Sequence, residues 1–214
     1  MISEQPLVID VSRELTLEAR LSAPPSPGGG IVICHPHPLY GGDMDNPVVV
    51  RVQEVCAELG IATLRFNFRG VGGSTGSHAG GIGEQEDAVA ALDALAKTVG
   101  GRPLALAGYS FGARISALVG CRDPRVAGMV LIAPPLAMYD FGCLEGRRVP
   151  TLMVAGTADS YCPVDDFRKL EARFPWVETV AVEGADHFFF GKVFPLGQAV
   201  AEWTRRHFPE RGAG

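Results

Sequence analysis

The sequence lacks a long apolar run, a paired-cysteine motif and an excess of positive charge. No stretch approaches the roughly 18 apolar residues of a membrane-spanning helix, so no membrane is expected as a partner. The net charge of −5 supplies no basic patch for a phosphate backbone, and no nucleic acid is expected either. The five cysteines (Cys34, Cys56, Cys121, Cys143 and Cys162) are odd in number and scattered, with no C-x-x-C. They read as small buried hydrophobes in a reducing cytoplasm rather than a disulfide framework. The start "MISEQPLVID" has no basic stretch followed by an apolar run, so no secretory signal is read and a cytoplasmic location is expected. Repeats and low-complexity tracts are also missing.

What is present is a steady alternation of short apolar runs with helical patterns. The 214 residues suffice for one well-buried core and are few for two domains, so one domain over 1–214 is expected. "PLVIDV" and "LTLEARLSAP" alternate in polarity and predict a leading antiparallel pair. "GGGIVICHP" is uniformly apolar, as suits a strand buried on both faces of a parallel sheet. "PVVVRVQEVCAELG" and "GEQEDAVAALDALAKTVGG" predict helices stopped by glycine, the second with acids favouring the dipole in its first turn. Further on, "RPLALAGYS", "RVAGMVLIAPP", "VPTLMVAGTAD" and "VETVAVEGADHFF" read as strands. "FGARISALVG", "PVDDFRKLEARFP" and "PLGQAVAEWTRRHF" read as helices. About eight strands interleaved with helices predict an α/β fold: a mostly parallel sheet with helices on both faces.

Gly108-Tyr109-Ser110-Phe111-Gly112 lies between a strand and a helix. G-x-S-x-G in that setting places a serine on a strained turn above the sheet. The glycines on either side remove side chains that would collide with neighbouring backbone. The Phe111 amide, at the start of the helix, has no intrahelical acceptor and suits an anion. Ser110 is the candidate nucleophile.

A serine hydroxyl needs a base, and the base needs an orienting acid. After such a turn the acid precedes the base in the chain. Asp159 closes "TLMVAGTAD" and His187 closes "VETVAVEGADH", both at carboxyl ends of strands, where open α/β sheets place their ligands. Asp140 is held in reserve as the acid. Asp165 and Asp166 fit the first turn of a helix, and Asp186 points away from its neighbour. His78 reads as solvated in a Gly/Ser-rich loop, and His207 as complementing a helix C-terminus.

"IVICHPHPLYGGDMDN" raises a different possibility. His35 and His37 are two apart, and with Asp43 or Asp45 they could form a zinc site. Pro36 and Pro38 interrupt the strand, and no further ligand cluster follows, so no metal is expected. A better role follows from proline chemistry. Pro36 and Pro38 have no N–H, which leaves the His37 amide as the only donor between them. It is the choice for a second oxyanion donor beside Phe111, with Leu39 and Tyr40 as alternatives.

Together "HPHPLYGG", "FNFRGVGGSTG", "GYSFGA", "GTADSYCP" and "GADHFF" resemble, in order and over nearly the whole chain, the α/β-hydrolase fold family. The nearest likeness is to small lidless bacterial hydrolases with an H-P-H-P loop, related to dienelactone hydrolases. That resemblance implies a three-layer α/β-hydrolase fold with an eight-stranded, mostly parallel sheet, a Ser110–Asp159–His187 triad, and ester hydrolysis without a cofactor. Dienelactone hydrolases typically carry cysteine where Ser110 stands, so ordinary ester cleavage is favoured. Tyr161-Cys162 also departs from the small apolar residues common there, and Cys162 is expected near the pocket rim. Only "LAMYDFGCLEG" separates two strands where larger lipases insert a lid, so no cap domain and an open cleft are expected. Tyr40, Tyr109, Tyr139 and Phe188 are the candidate pocket aromatics, while Phe189 and Phe190 are expected in the core. The expected activity is a carboxylesterase-type serine hydrolase acting on small or short-acyl esters. Alternatives are a thioesterase, an amide or acyl-peptide hydrolase, or a non-catalytic binding module. Oligomeric state is not legible.

Overall fold

A computed structural model describes residues 3–208. The expected domain of 1–214 extends beyond the described residues at 1–2 and 209–214.

One sheet of eight strands runs through the molecule: β1 (Gln5–Asp10), β2 (Thr16–Ser22), β3 (Gly30–Cys34), β4 (Ala62–Phe66), β5 (Leu104–Tyr109), β6 (Val126–Ile132), β7 (Thr151–Gly156) and β8 (Val177–Val182). Their spatial order is β1-β2-β4-β3-β5-β6-β7-β8. β2 is antiparallel to both β1 and β4, and every other pairing is parallel. The alternating polarity of β2 follows from its place near the edge. There Leu17 and Ala19 face inward. β3, β4, β5 and β7 are buried along their whole length, which is why their sequences show no period of two.

Among the described residues, five α-helices cover the two faces. α1 (Pro47–Glu58) and α5 (Val193–His207) pack on each other and on one side. There Val48, Val52, Leu196, Val200 and Trp203 build one core layer with inward residues of the central strands. α2 (Gly83–Val99), α3 (Phe111–Arg122) and α4 (Val164–Arg173) cover the other side, where Leu92, Ile115, Phe66, Phe68 and Phe167 share a second layer. Helix ends follow local chemistry. Asn46 caps α1 by accepting from Val48 N at 3.0 Å, with Pro47 in the first turn. Gly60 and Gly100 take positive φ just past α1 and α2.

Three expectations need correction. The strand read as "GGGIVICHP" ends at Cys34, because Pro36 cannot continue a ladder. The strand read through "GADHFF" ends at Val182, so His187 stands on the following loop, with Gly184 at positive φ between them. The last helix begins at Val193 and carries Pro195 in its first turn, where the missing N–H costs nothing. Between β6 and β7 lies one short 3-10 helix, Gly142–Gly146, and the described residues hold no cap domain. The parallel strands bring the ends of β3, β5, β7 and β8 to one edge. The order of travel across the sheet reverses between β3 and β5, which opens a crevice there.

Candidate active site

The turn from β5 into α3 is built by close backbone approach. A Cβ on Gly108 would lie 2.1 Å from the Gly112 carbonyl oxygen, and one on Gly112 would lie 2.2 Å from that of Cys34. Only glycine fits either place. Between them Ser110 has φ 55° and ψ −113°. A non-glycine residue with positive φ stores strain that the surroundings must impose. Here the Ser110 amide is tied to Ile132 O at 2.8 Å. Phe111 starts α3, and its amide therefore has no acceptor within the helix.

His187 and Asp159 come to this serine from the ends of β8 and β7. His187 Nε2 lies 2.9 Å from Ser110 Oγ, and Nδ1 lies 2.8 Å from Asp159 Oδ2 and 3.0 Å from Oδ1. A carboxylate only accepts, so Nδ1 carries the proton and Nε2 is free to accept from the serine hydroxyl. Asp159 and His187 are both buried. The acid is oriented by two amides on Oδ1, from Tyr161 at 2.8 Å and Cys162 at 3.0 Å. The base loop is held through its own backbone, where the Tyr109 hydroxyl donates to His187 O at 2.8 Å.

The competing acids are engaged elsewhere. Asp140 is exposed and pairs with Arg173 at 3.3 Å. Asp165 and Asp166 sit in the first turn of α4. Asp186 accepts from the amides of Phe188 and Phe190 at 3.1 and 3.3 Å.

The histidine pair after β3 divides its work. His35 is fully buried. Its Nδ1 donates to Pro36 O at 2.6 Å, and its Nε2 accepts from Phe68 N at 3.0 Å. Burial pushes its pKa down to about 4, with nearby His37 adding to the effect and the Pro36 bond opposing it. The ring is thus a neutral pin between the loops after β3 and β4. His37 caps the 3-10 turn Pro38–Tyr40, its Nδ1 accepting from Leu39 N at 3.2 Å. Tyr40 N goes to His37 O at 3.1 Å. The two alternative oxyanion donors, Leu39 and Tyr40, are therefore both occupied. Among the described residues the His37 amide has no protein acceptor. Asp45 instead pairs with Arg65, and Asp43 Oδ1 accepts from Asp45 N at 2.9 Å. Among the described residues no group of three or more His, Cys, Asp or Glu side chains could hold a metal ion.

A cleft of about 480 Å³ opens above Ser110. Tyr40, Tyr109, Tyr139 and Phe188 all line it. Lining residues that were not foreseen include Met138, Asn46 and Tyr161, whose ring packs on His187 at 4.7 Å. Tyr161 was visible only as a departure after Asp159; a side chain's direction on a loop leaves no periodic signal. Three expectations fail here. Cys162 is fully buried in the core rather than at the rim, and its part in the site is the backbone amide on Asp159. Burial pushes its thiol up to about 12. Phe190 is exposed and stacks on Phe188 at 5.8 Å, whereas Phe189 is buried as expected. His78 is not solvated either. Its side chain is 16% exposed and faces Glu84.

This fold is that of the α/β serine hydrolases, and comparison with known proteins agrees. The family described as serine aminopeptidase, S33 (Hydrolase_4) matches residues 46–141, a span that holds Ser110 but neither Asp159 nor His187. A structure of an α/β serine hydrolase homologue from Coxiella burnetii is 35% identical, covers 94% of this chain and 98% of that one, and has a TM-score of 0.82. XC6422 from Xanthomonas campestris, described as an α/β serine hydrolase without a lid, is 28% identical over 99% of this chain and 98% of that one, with a TM-score of 0.89. An uncharacterized protein of Rickettsia prowazekii, RP471, is 35% identical over 87% of this chain and 83% of its own length. The chain belongs to the α/β-hydrolase family and is similar to its lidless serine hydrolases.

Proposed function

We propose that this serine hydrolase cleaves carboxylic esters of small or short-acyl substrates through an acyl-enzyme on Ser110. The observation that carries the reading is the continuous line from Asp159 through His187 to Ser110 Oγ, with contacts of 2.8 and 2.9 Å, at the floor of an open, aromatic-walled cleft. Ser110 Oγ attacks the carbonyl carbon as its proton passes to His187 Nε2. Asp159 holds the ring tautomer and stabilises the imidazolium. The oxyanion is received by the amides of Phe111 and His37. His187 then gives the proton to the leaving alcohol. Water attacks the acyl carbon, with His187 as base, and Ser110 is regenerated.

Ester is favoured over free peptide by the chemistry of the walls. An aminopeptidase must recognise the substrate's α-ammonium group, and buried cations need a paired charge. Among the described residues, no Asp or Glu lines the cleft. The aminopeptidase description of the matched family is therefore the weaker reading, and thioesters remain compatible with the same attack. The absence of a lid leaves little apolar area to remove from water along a long acyl chain. The test is a series of p-nitrophenyl esters of increasing acyl length on wild type and Ser110→Ala. The expected result is a preference for short chains and a loss of several orders of magnitude in kcat for the variant. A near wild-type kcat in Ser110→Ala, or a clear optimum at long chains, contradicts it.

A further inference from the structure

Behind the loop that follows β3, three rings form a closed triangle. The His37 ring packs on Phe111 with centroids 4.8 Å apart and on His78 at 5.0 Å, and His78 meets Phe111 at 5.7 Å. Two corners of the triangle belong to the residues whose amides would receive the oxyanion. The third comes from the loop between β4 and α2.

That loop is tied down by an acid. Glu84, fully buried, accepts from Ala79 N on Oε1 and from Gly81 N on Oε2, each at 2.7 Å. Its Oε1 also lies 2.8 Å from His78 Nδ1, off the line of a ring N–H, so this is a close polar contact rather than an aligned hydrogen bond. Gly81 has φ +87° and backs onto the Phe111 ring, where a Cβ would touch it at 3.6 Å. A carboxylate serving only the helix dipole would sit in solvent. Burial at this depth is costly unless every oxygen is engaged, and both oxygens are engaged in holding the His78 loop.

We propose that His78, seated by Glu84, is a positioning residue for the oxyanion hole. Its ring wedges His37 against Phe111, so that two amides from separate elements keep one separation. His37 stands on a three-residue 3-10 turn and Phe111 on α3, and the ring triangle joins them beside the close approach of Gly112 to Cys34. Oxyanion donors act only when preorganised, and a displacement of about 1 Å costs on the order of 10²-fold. The inference rests on the proposed Ser110 mechanism.

The test compares wild type, His78→Ala and His78→Phe with p-nitrophenyl acetate and with a trifluoromethyl ketone. Ser110 Oγ adds to the ketone carbon, the serine proton goes to His187, and the ketone oxygen becomes the oxyanion. For His78→Ala, kcat is expected to fall at least tenfold with KM within twofold, and ketone affinity to fall by a similar factor. His78→Phe keeps an aromatic wedge and is expected within about threefold of wild type. Glu84→Gln, which turns an N–H₂ toward one of the loop amides, gives the same split and serves if His78→Ala does not fold. An unchanged kcat in His78→Ala or Glu84→Gln overturns the proposal, as does an equal loss in His78→Phe and His78→Ala. If wild type neither turns over the ester nor binds the ketone, the Ser110 reading fails and takes this proposal with it.

Discussion

The Tyr109 hydroxyl donates to the backbone carbonyl of His187 at 2.8 Å. The residue before Ser110, the proposed nucleophile, thereby holds the loop that carries His187, the proposed base. Tyr109 and His187 are both buried, and Tyr109 also forms part of the cleft wall. Removing that hydroxyl leaves the His187 carbonyl without its donor. Tyr109→Phe is expected to lower stability by about 1 kcal/mol, read from a urea melt. It is also expected to lower kcat a few-fold while KM holds. A variant equal to wild type in both would show that the bond does not steady the base.

Gly112 touches Cys34 in a way no other residue can. With a Cβ placed 2.2 Å from the Cys34 carbonyl oxygen, Gly112→Ala must push α3 away from the end of β3. The distance between Phe111 and His37 would change with it. Expected outcomes are a lower thermal midpoint and a loss of at least about 100-fold in kcat/KM, as misplacement near 1 Å implies. Recovery of normal activity would mean that the turn is softer than its contacts suggest.

His35 predicts how stability varies with pH. Its pKa falls from 6.5 to about 4 on folding, so the unfolded chain binds the proton more readily. The neutral, buried ring contributes stability that is present above pH 6.5 and is lost as pH falls toward 4. At pH 5 the loss relative to pH 7 is about 2 kcal/mol. Urea melts of wild type and His35→Gln at both pH values separate this from the carboxylates. The variant is expected to be less stable at pH 7 and to depend less on pH between 7 and 5. Equal slopes would remove His35 as the cause.

The thiols differ in the same structural terms. A hydrogen bond from the neighbouring Cys121 thiol holds Cys143 below the usual thiol range, against the effect of burial. Burial pushes Cys34, Cys56 and Cys162 up to about 12. Iodoacetamide at pH 7 is therefore expected to modify Cys143 first and to leave Cys162 untouched in the folded protein. Early labelling of Cys162, located by peptide mass spectrometry, would contradict its burial.

Much of this was legible in the chain because the physics was local. Uniform apolar runs marked the strands that both helix layers cover, and Gly60 and Gly100 marked helix ends by the positive φ that they alone take easily. Ser110 was legible because its turn needs two glycines at fixed offsets. The order of Asp159 and His187 located the remaining partners, although His187 stands beyond the end of β8. Glu84 looked like a dipole-favouring acid and His78 like a solvated one, because sequence shows neighbours along the chain and not across a loop. Tyr161 and Met138 reach the cleft from two different loops, and no period in the sequence records that meeting.

The central claim is that Ser110 is an activated nucleophile. Incubating the full chain with a fluorophosphonate and locating the adduct by mass spectrometry tests it most directly. One adduct is expected, on Ser110, lost in Ser110→Ala and slowed by orders of magnitude in His187→Ala. An unlabelled wild-type protein, or an adduct that persists in Ser110→Ala, would contradict the account.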